Sequence, residues 1–273
     1  VVHHILLNKL HCYGIRGKLL SWIKEYLSDR EQTVVINGSH SYAAKVKSGV
    51  PQGTVLGPIL FLVYINDLHH CINHSLVSHF ADDTRILKAI TTSSDVSLLQ
   101  QDLNETITWS NHNHMILHED KFELLCHTIN KNNTMQLLPF SNQFYQYSTP
   151  NGTEILPSSL VNDLGIKITP DINWSPHINI IADNARRLIS WVLSVFKDRS
   201  EETMMCLYKS LIRSRLEYSS PLWHPSKMED IITLESVQRQ FTSKISEVGD
   251  HSYHDRLKIL KIMSLQRRRE RFI

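Results

Sequence analysis

The sequence predicts an α+β fold in which an antiparallel sheet packs on helices and an all-helical domain follows. Three observations predict it. Apolar residues recur at helical spacing through residue 27, β-prone runs of period two are paired across tight turns between residues 32 and 90, and helical spacing governs the last hundred residues. The 273 residues, 41% apolar and 21% charged, suffice for one large or two small domains and exclude a disordered chain, a collagen or a coiled coil. The longest apolar run, Val55 to Ile65, is broken by Gly57-Pro58 and falls short of the ~20 residues of a membrane-spanning helix, so no membrane partner is expected.

Taken in order, Ile5, Leu6, Leu7 and Leu10 define a first short helix stopped at Tyr13-Gly14. Leu19, Trp22, Ile23, Tyr26 and Leu27 then place one buried face on a second. Gln32 to Ile36 and Tyr42 to Val46 read as a hairpin about Asn37-Gly38-Ser39-His40. A glycine-rich turn, Gly49 to Gly53, leads into an apolar stretch reaching Asn66-Asp67, expected to be a buried helix under a sheet. Leu76 to Phe80 and Arg85 to Ile90 flank Ala81-Asp82-Asp83-Thr84, a strand, an acidic turn and a strand. A helix over about Asp95 to Trp109 carries Val96, Leu99, Leu103 and Ile107 on one stripe, and Lys121 to Cys126 is a further strand candidate.

Lys131 to Thr153, rich in Asn, Ser and Thr, reads as a linker or insertion, with Leu164 to Ile168 as a returning strand. Ser175-Pro176 reads as an N-cap and first turn ahead of Ile178, Ile181, Ala182, Ala185, Leu188, Ile189 and Val192. Ser226 with Glu229 has the form of a capping box before Ile231, Leu234, Val237, Phe241 and Ile245. The expected domains are thus 1–130, an irregular connection with a returning strand over 131–170, and a helical part over 171–273.

Cys12, Cys71, Cys126 and Cys206 lie far apart and fit neither a disulfide framework nor a zinc site, which favours an intracellular compartment, nuclear or cytoplasmic. His112, His114 and His118 match no zinc spacing either. Net charge is only +2, but residues 1–50 carry seven basic and three acidic side chains and residues 251–273 carry seven and two. Basic ends about an acidic middle suit a protein that holds phosphates at its margins and cations at its centre, and equally a chain with solvated charged faces.

An Asp-Asp pair in a turn is by itself commonplace. Here Asp82-Asp83 follows Ser48-Gly49-Val50-Pro51-Gln52-Gly53-Thr54-Val55-Leu56-Gly57-Pro58 and precedes Lys121 after a helix ending near Trp109. With Val161-Asn162-Asp163-Leu164-Gly165, Leu216-Glu217-Tyr218 and Trp223, these segments closely resemble the reverse transcriptases of non-LTR (LINE-type) retrotransposons, in particular the jockey and CR1-like group. The resemblance runs nearly end to end. It implies a partial polymerase palm followed by a helical thumb and extension, acting as an RNA-directed DNA polymerase on an RNA template, a DNA primer and deoxynucleoside triphosphates.

The resemblance also implies roles. Asp82 and Asp83 would be catalytic ligands of a two-ion Mg²⁺ site, Asp82 the main one. Gly49, Pro51, Gln52, Gly53, Phe80 and Lys121 would meet nucleotide or template, Phe80 being otherwise a core residue, and Leu164-Gly165 would belong to a primer-grip strand. Elementary chemistry agrees: phosphoryl transfer needs charge neutralisation, hard cations need carboxylate oxygens, and only a tight turn brings two successive carboxylates to one side. Arg267, Arg268, Arg269 and Arg271 are expected to grip phosphate, a solvated helix end being the alternative. The family's first metal-binding aspartate corresponds to a position just upstream of Val1-Val2-His3-His4, and Val1 and Phe272-Ile273 read as the ends of an excerpt. This chain alone is therefore expected to be inactive. The alternative is a catalytically dead relic that at most binds nucleic acid.

Overall fold

The computed structural model describes residues 1–127 and 146–271. They form mixed helices and small antiparallel ladders, an α+β fold, in two compact units: residues 1–124 with 146–157, and residues 125–127 with 158–271.

The first unit opens with α1 (His3–Cys12) and α2 (Gly17–Leu27). Gly14 takes φ +88° and lets the Ile15 amide turn back to the Leu10 carbonyl, 3.0 Å, closing α1 with left-handed backbone. Leu6, Leu10, Ile23 and Leu27 are buried together, whereas Leu19 and Trp22 stay 54% exposed and Trp22 stacks on Tyr26 instead. The expected five-residue face on α2 is thus only half covered, because a stripe that wide exceeds the contact one neighbouring helix offers.

A ladder of β1 (Glu31–Gln32) with β4 (Ala44–Lys45) and β2 (Val35–Ile36) with β3 (Ser39–His40) forms the expected hairpin. Two residues, 33–34, oppose three, 41–43, so the register slips by one between the ladders. Its turn is narrower than expected: Asn37 and Gly38, both at positive φ, form the two-residue turn that matches strand twist.

Helix α3 (Leu56–Ile65) is apolar on every side but is not sandwiched under a sheet. It packs on α1 through Leu60 and Tyr64, leaving Ile59 and Leu62 51% exposed. The expectation of complete burial fails because strands occur among the described residues only as two-stranded ladders, too narrow to cover a helix face.

β5 (Leu76–Phe80) and β6 (Asp83–Leu87) form the second hairpin, and α4 (Ser93–His112) follows. Its Thr92 and Asp95 make a reciprocal capping box that the sequence reading did not single out. Lys121 to Cys126 is not a strand: Glu119–Lys121 is a 3₁₀ turn, and Leu124 makes one isolated bridge with Pro157, whose missing N–H cannot extend a ladder. The expected insertion over 131–153 lies outside the described residues up to 145, after which β7 (Tyr147–Ser148) pairs with β8 (Glu154–Ile155).

The second unit begins with β9 (Val161–Asp163) and β10 (Ile166–Ile168). Leu164 and Gly165, expected at the start of a strand, are its turn. Then come α5 (Ser175–Val195), α6 (Glu201–Leu207), a π-helical stretch (Tyr208–Arg213), α7 (Ser214–Glu217), α8 (Met228–Thr242), α9 (Tyr253–Ile259) and α10 (Leu265–Arg269). Ile178, Ala182, Ala185, Ile189 and Val192 of α5 meet Leu234, Val237 and Phe241 of α8 in one core closed by Trp223 and Tyr208, as the spacing predicts. Burying such side chains stabilises by about 1.5–3 kcal/mol each before chain entropy is subtracted.

Neither expected serine cap forms. The Ser175 hydroxyl lies inside α5 and donates to Asp230 at 2.8 Å, and α8 starts after Lys227 without a side-chain cap. At Ser175 a tertiary partner outcompetes the local pattern.

Candidate active site

The β5–β6 hairpin turns on two residues, because Phe80 pairs directly with Asp83. Ala81 sits at φ +52° and Asp82 at ordinary φ, the pattern of a II′-type turn, which glycine would occupy without strain. Asp82 therefore stands at the tip and Asp83 one step down β6, both exposed. Phe80 is 65% exposed and is not core. Below the tip, His79 and Thr84 face each other and Nδ1 lies 3.0 Å from the Thr84 hydroxyl. Burial, then the neighbouring His69, lowers the His79 pKa from its ordinary value.

The base of the hairpin is held by a residue that periodicity did not reveal. Asp102 of α4 is 1% exposed and accepts the Asn73 amide at 3.0 Å and the His74 amide at 3.1 Å. Lys88, just after β6, donates to the His74 carbonyl at 2.8 Å and lies 3.9 Å from Asp95. Two backbone N–H groups of exposed residues are thus tied to a buried carboxylate. A carboxylate within a helical stripe, away from any cap position, gives no sequence signal of this kind.

A cavity of about 410 Å³ brings Asp82, Asp83 and Lys121 together, with Glu123 and His118 also on its wall. Leu99, Leu103, Trp109, Phe122 and Tyr147 supply an apolar lining. The Trp109 wall is fixed by Lys9: its ammonium reaches Asp67 Oδ1 at 2.7 Å and the Tyr64 carbonyl at 2.6 Å, and lies 4.9 Å from the Trp109 ring centre. Trp109 Nε1 donates to the same Asp67 oxygen at 3.1 Å.

Gly49, Pro51, Gln52 and Gly53 do not line this cavity; they form the turn entering α3. That turn is tightly built. Thr54 Oγ1 donates to the Pro51 carbonyl at 2.9 Å and accepts from the Gly57 amide and from Tyr26 Oη, while His3 Nε2 lies 2.9 Å from the Gly49 carbonyl. A Cβ at Gly57 would fall 2.3 Å from the Pro51 carbonyl oxygen, so only glycine lets the turn fold back on the helix. Gln52 and Gly53 remain exposed at its apex.

The donor set suits one hard divalent cation in part. Two exposed carboxylates at a tight turn offer oxygens on one side, as Mg²⁺ sites shared with substrate phosphates do, but the described residues contain no group of three or more His, Cys, Asp or Glu placed to hold a metal.

In the second unit, Leu164 and Gly165 take φ +47° and +85° at the tip of β9–β10. Of the four expected phosphate-gripping arginines, Arg267 and Arg271 are exposed, whereas Arg268 and Arg269 are turned inward. Arg268 makes two hydrogen bonds to Glu217 at 2.6 and 3.1 Å, and Arg269 is 1% exposed. α10 turns these two side chains onto its packed face, a direction that an unbroken run of arginines does not reveal. All four cysteines are free, and no helix of the described residues is long and apolar enough to cross a membrane.

Comparison with known proteins identifies the family. The chain is 22% identical over 267 residues to a probable RNA-directed DNA polymerase from transposon X-element of Drosophila melanogaster, covering 86% of this chain and 28% of that protein. It is 24% identical over 235 residues to the RNA-directed DNA polymerase from mobile element jockey of the same organism, covering 82% and 24%. A 77-residue stretch is 42% identical to a probable RNA-directed DNA polymerase from transposon BS, also of D. melanogaster, covering 28% and 8%. The chain thus spans less than a third of these relatives' length. Residues 1–168, which contain the α3 turn, the aspartate hairpin and the β9–β10 tip, match the family described as reverse transcriptase (RNA-dependent DNA polymerase), and the chain belongs to that family.

Proposed function

We propose that this chain is the palm and thumb portion of an RNA-directed DNA polymerase of a non-LTR retrotransposon, with the palm over 1–130, a connection over 131–170 and the helical thumb and extension over 171–273. The observation that carries this reading is the convergence of Asp82, Asp83 and Lys121 on one cavity beneath a hairpin tip. Its substrates are an RNA template, a DNA primer and deoxynucleoside triphosphates, and its compartment is intracellular.

Asp82, with Asp83 beside it, would hold Mg²⁺, which supplies charge neutralisation for the phosphates when bound. The chain's own residues do the positioning. Lys121 presents a mobile point charge toward phosphate oxygens on the same cavity wall. Gln52 and Gly53 offer an amide side chain and an unshielded backbone to a nucleic-acid strand at the α3 turn. Phe80 presents an exposed ring next to the tip, suited to stacking on a base or sugar.

The test is primer extension on an RNA template, in this chain and in a chimera where it replaces the matching segment of the jockey polymerase. The chimera extends primers and Asp82→Asn reduces the rate about 100-fold or more. Extension that survives Asp82→Asn contradicts the site. No extension by the chimera, with salt-sensitive binding of RNA–DNA duplex retained, favours the relic.

A further inference from the structure

The tip of β9–β10 carries an observable strain. Leu164, a bulky residue without a short polar side chain, occupies the left-handed region at φ +47°, where asparagine or glycine is the ordinary choice in such a turn. Strain of this kind persists only where its surroundings over-determine it. Those surroundings are visible. Tyr218 Oη donates to the Leu164 carbonyl at 3.0 Å, and the Tyr218 ring lies 3.6 Å from where a Gly165 Cβ would stand. On the following strand the Lys167 amide donates to His177 Nδ1 at 3.2 Å.

The two clamps are joined by Trp223. This fully buried indole donates from Nε1 to the Tyr218 carbonyl at 2.8 Å and packs its ring against His177, 5.2 Å between centres. Tyr218 is itself 54% exposed, so its hydroxyl is not needed to fill the core.

We propose that Tyr218 is a positioning residue: through its hydroxyl it fixes the Leu164 carbonyl and so presents the Leu164-Gly165 tip to the primer strand, with Trp223 and His177 setting Tyr218 and β10. This rests on the polymerase reading above, in which that tip meets the primer. Tyr218 touches neither metal nor nucleotide; it acts through the tip.

The experiment uses the whole chain, wild type and Tyr218→Phe, with two readouts. Hydrogen exchange at residues 164–168 is measured without nucleic acid, and 2-aminopurine emission is then measured in an RNA–DNA primer–template duplex labelled either at the primer 3′ end or well inside the duplex. Tyr218→Phe speeds exchange at the tip about tenfold with unchanged Tm. It changes emission of the 3′-end label and leaves the interior label and duplex affinity unaltered. Gly165→Ala, strained at φ +85°, also speeds exchange at the tip and changes the 3′-end label, with a lowered Tm. Unchanged tip exchange in Tyr218→Phe overturns the positioning role. Faster exchange with an unchanged 3′-end label overturns the link to the primer. Wild-type chain that binds no duplex overturns the polymerase reading itself, and is told apart because the exchange readout contains no nucleic acid.

Discussion

Two hairpins of the first unit turn on two residues each, and their tips are built differently. The β2–β3 tip is Asn37-Gly38, residues that tolerate positive φ at little cost, and its strands are exposed on both faces. The β5–β6 tip is Ala81-Asp82, with an alanine forced to φ +52°, and its base is clamped to α4 by the buried Asp102. A turn that follows local preference needs no outside support. One that sets an acidic pair at its apex accepts local strain, and a neighbouring helix holds it in place.

That difference can be broken at its foundation first. Asp102→Ala removes the acceptor of the Asn73 and His74 amides and is expected to cost about 1–2 kcal/mol, read by denaturant unfolding, with hydrogen exchange rising across β5–β6 but not across β2–β3. Equal loosening of both hairpins would show that the clamp is not local.

Next in size, the tips should respond with opposite signs. Gly38→Ala places a Cβ at φ +81° and costs about 1 kcal/mol, whereas Ala81→Gly relieves the left-handed alanine and gains about 0.5 kcal/mol. Thermal unfolding of both variants checks the pair. Asp95→Ala, which removes the α4 capping box, costs about 1 kcal/mol and frays the first turn of that helix by circular dichroism and exchange.

The smallest effect is the pH dependence that His79 contributes at β5–β6. The His79 pKa is lowered in the folded protein below the ordinary 6.5, so the unfolded chain takes up a proton first on acidification. Stability from this group is complete above about pH 6.5 and declines as the pH falls toward the folded-state pKa, and His79→Gln flattens that slope. Chemical-shift titration of the β5–β6 amides is the measurement.

Much of this was legible in the chain. The period of 3.6 in residues 3–12 and 175–195 foretold α1 and α5 because one buried stripe decides a helix. Ala81-Asp82-Asp83-Thr84 announced a hairpin because two β-prone runs flanked a short polar break. What stayed hidden depends on partners distant in sequence. The apolar run of α3 could not say which side α1 would cover, Ser175 found Asp230 rather than a helix N–H, and Arg268 found Glu217 rather than solvent. Asp102 was silent for the same reason: its acceptors' partners lie 28 and 29 residues away.

In the proposed reading a divalent cation binds at the Asp82-Asp83 tip. Titrating Mn²⁺ into the isotopically labelled chain with an RNA–DNA primer–template, and following paramagnetic broadening of amide signals, tests it most directly. Residues 80–84 and Lys121 are expected to broaden first, Mg²⁺ to compete the effect away, and Asp82→Asn to abolish it. Broadening centred elsewhere, or unchanged in Asp82→Asn, would contradict it.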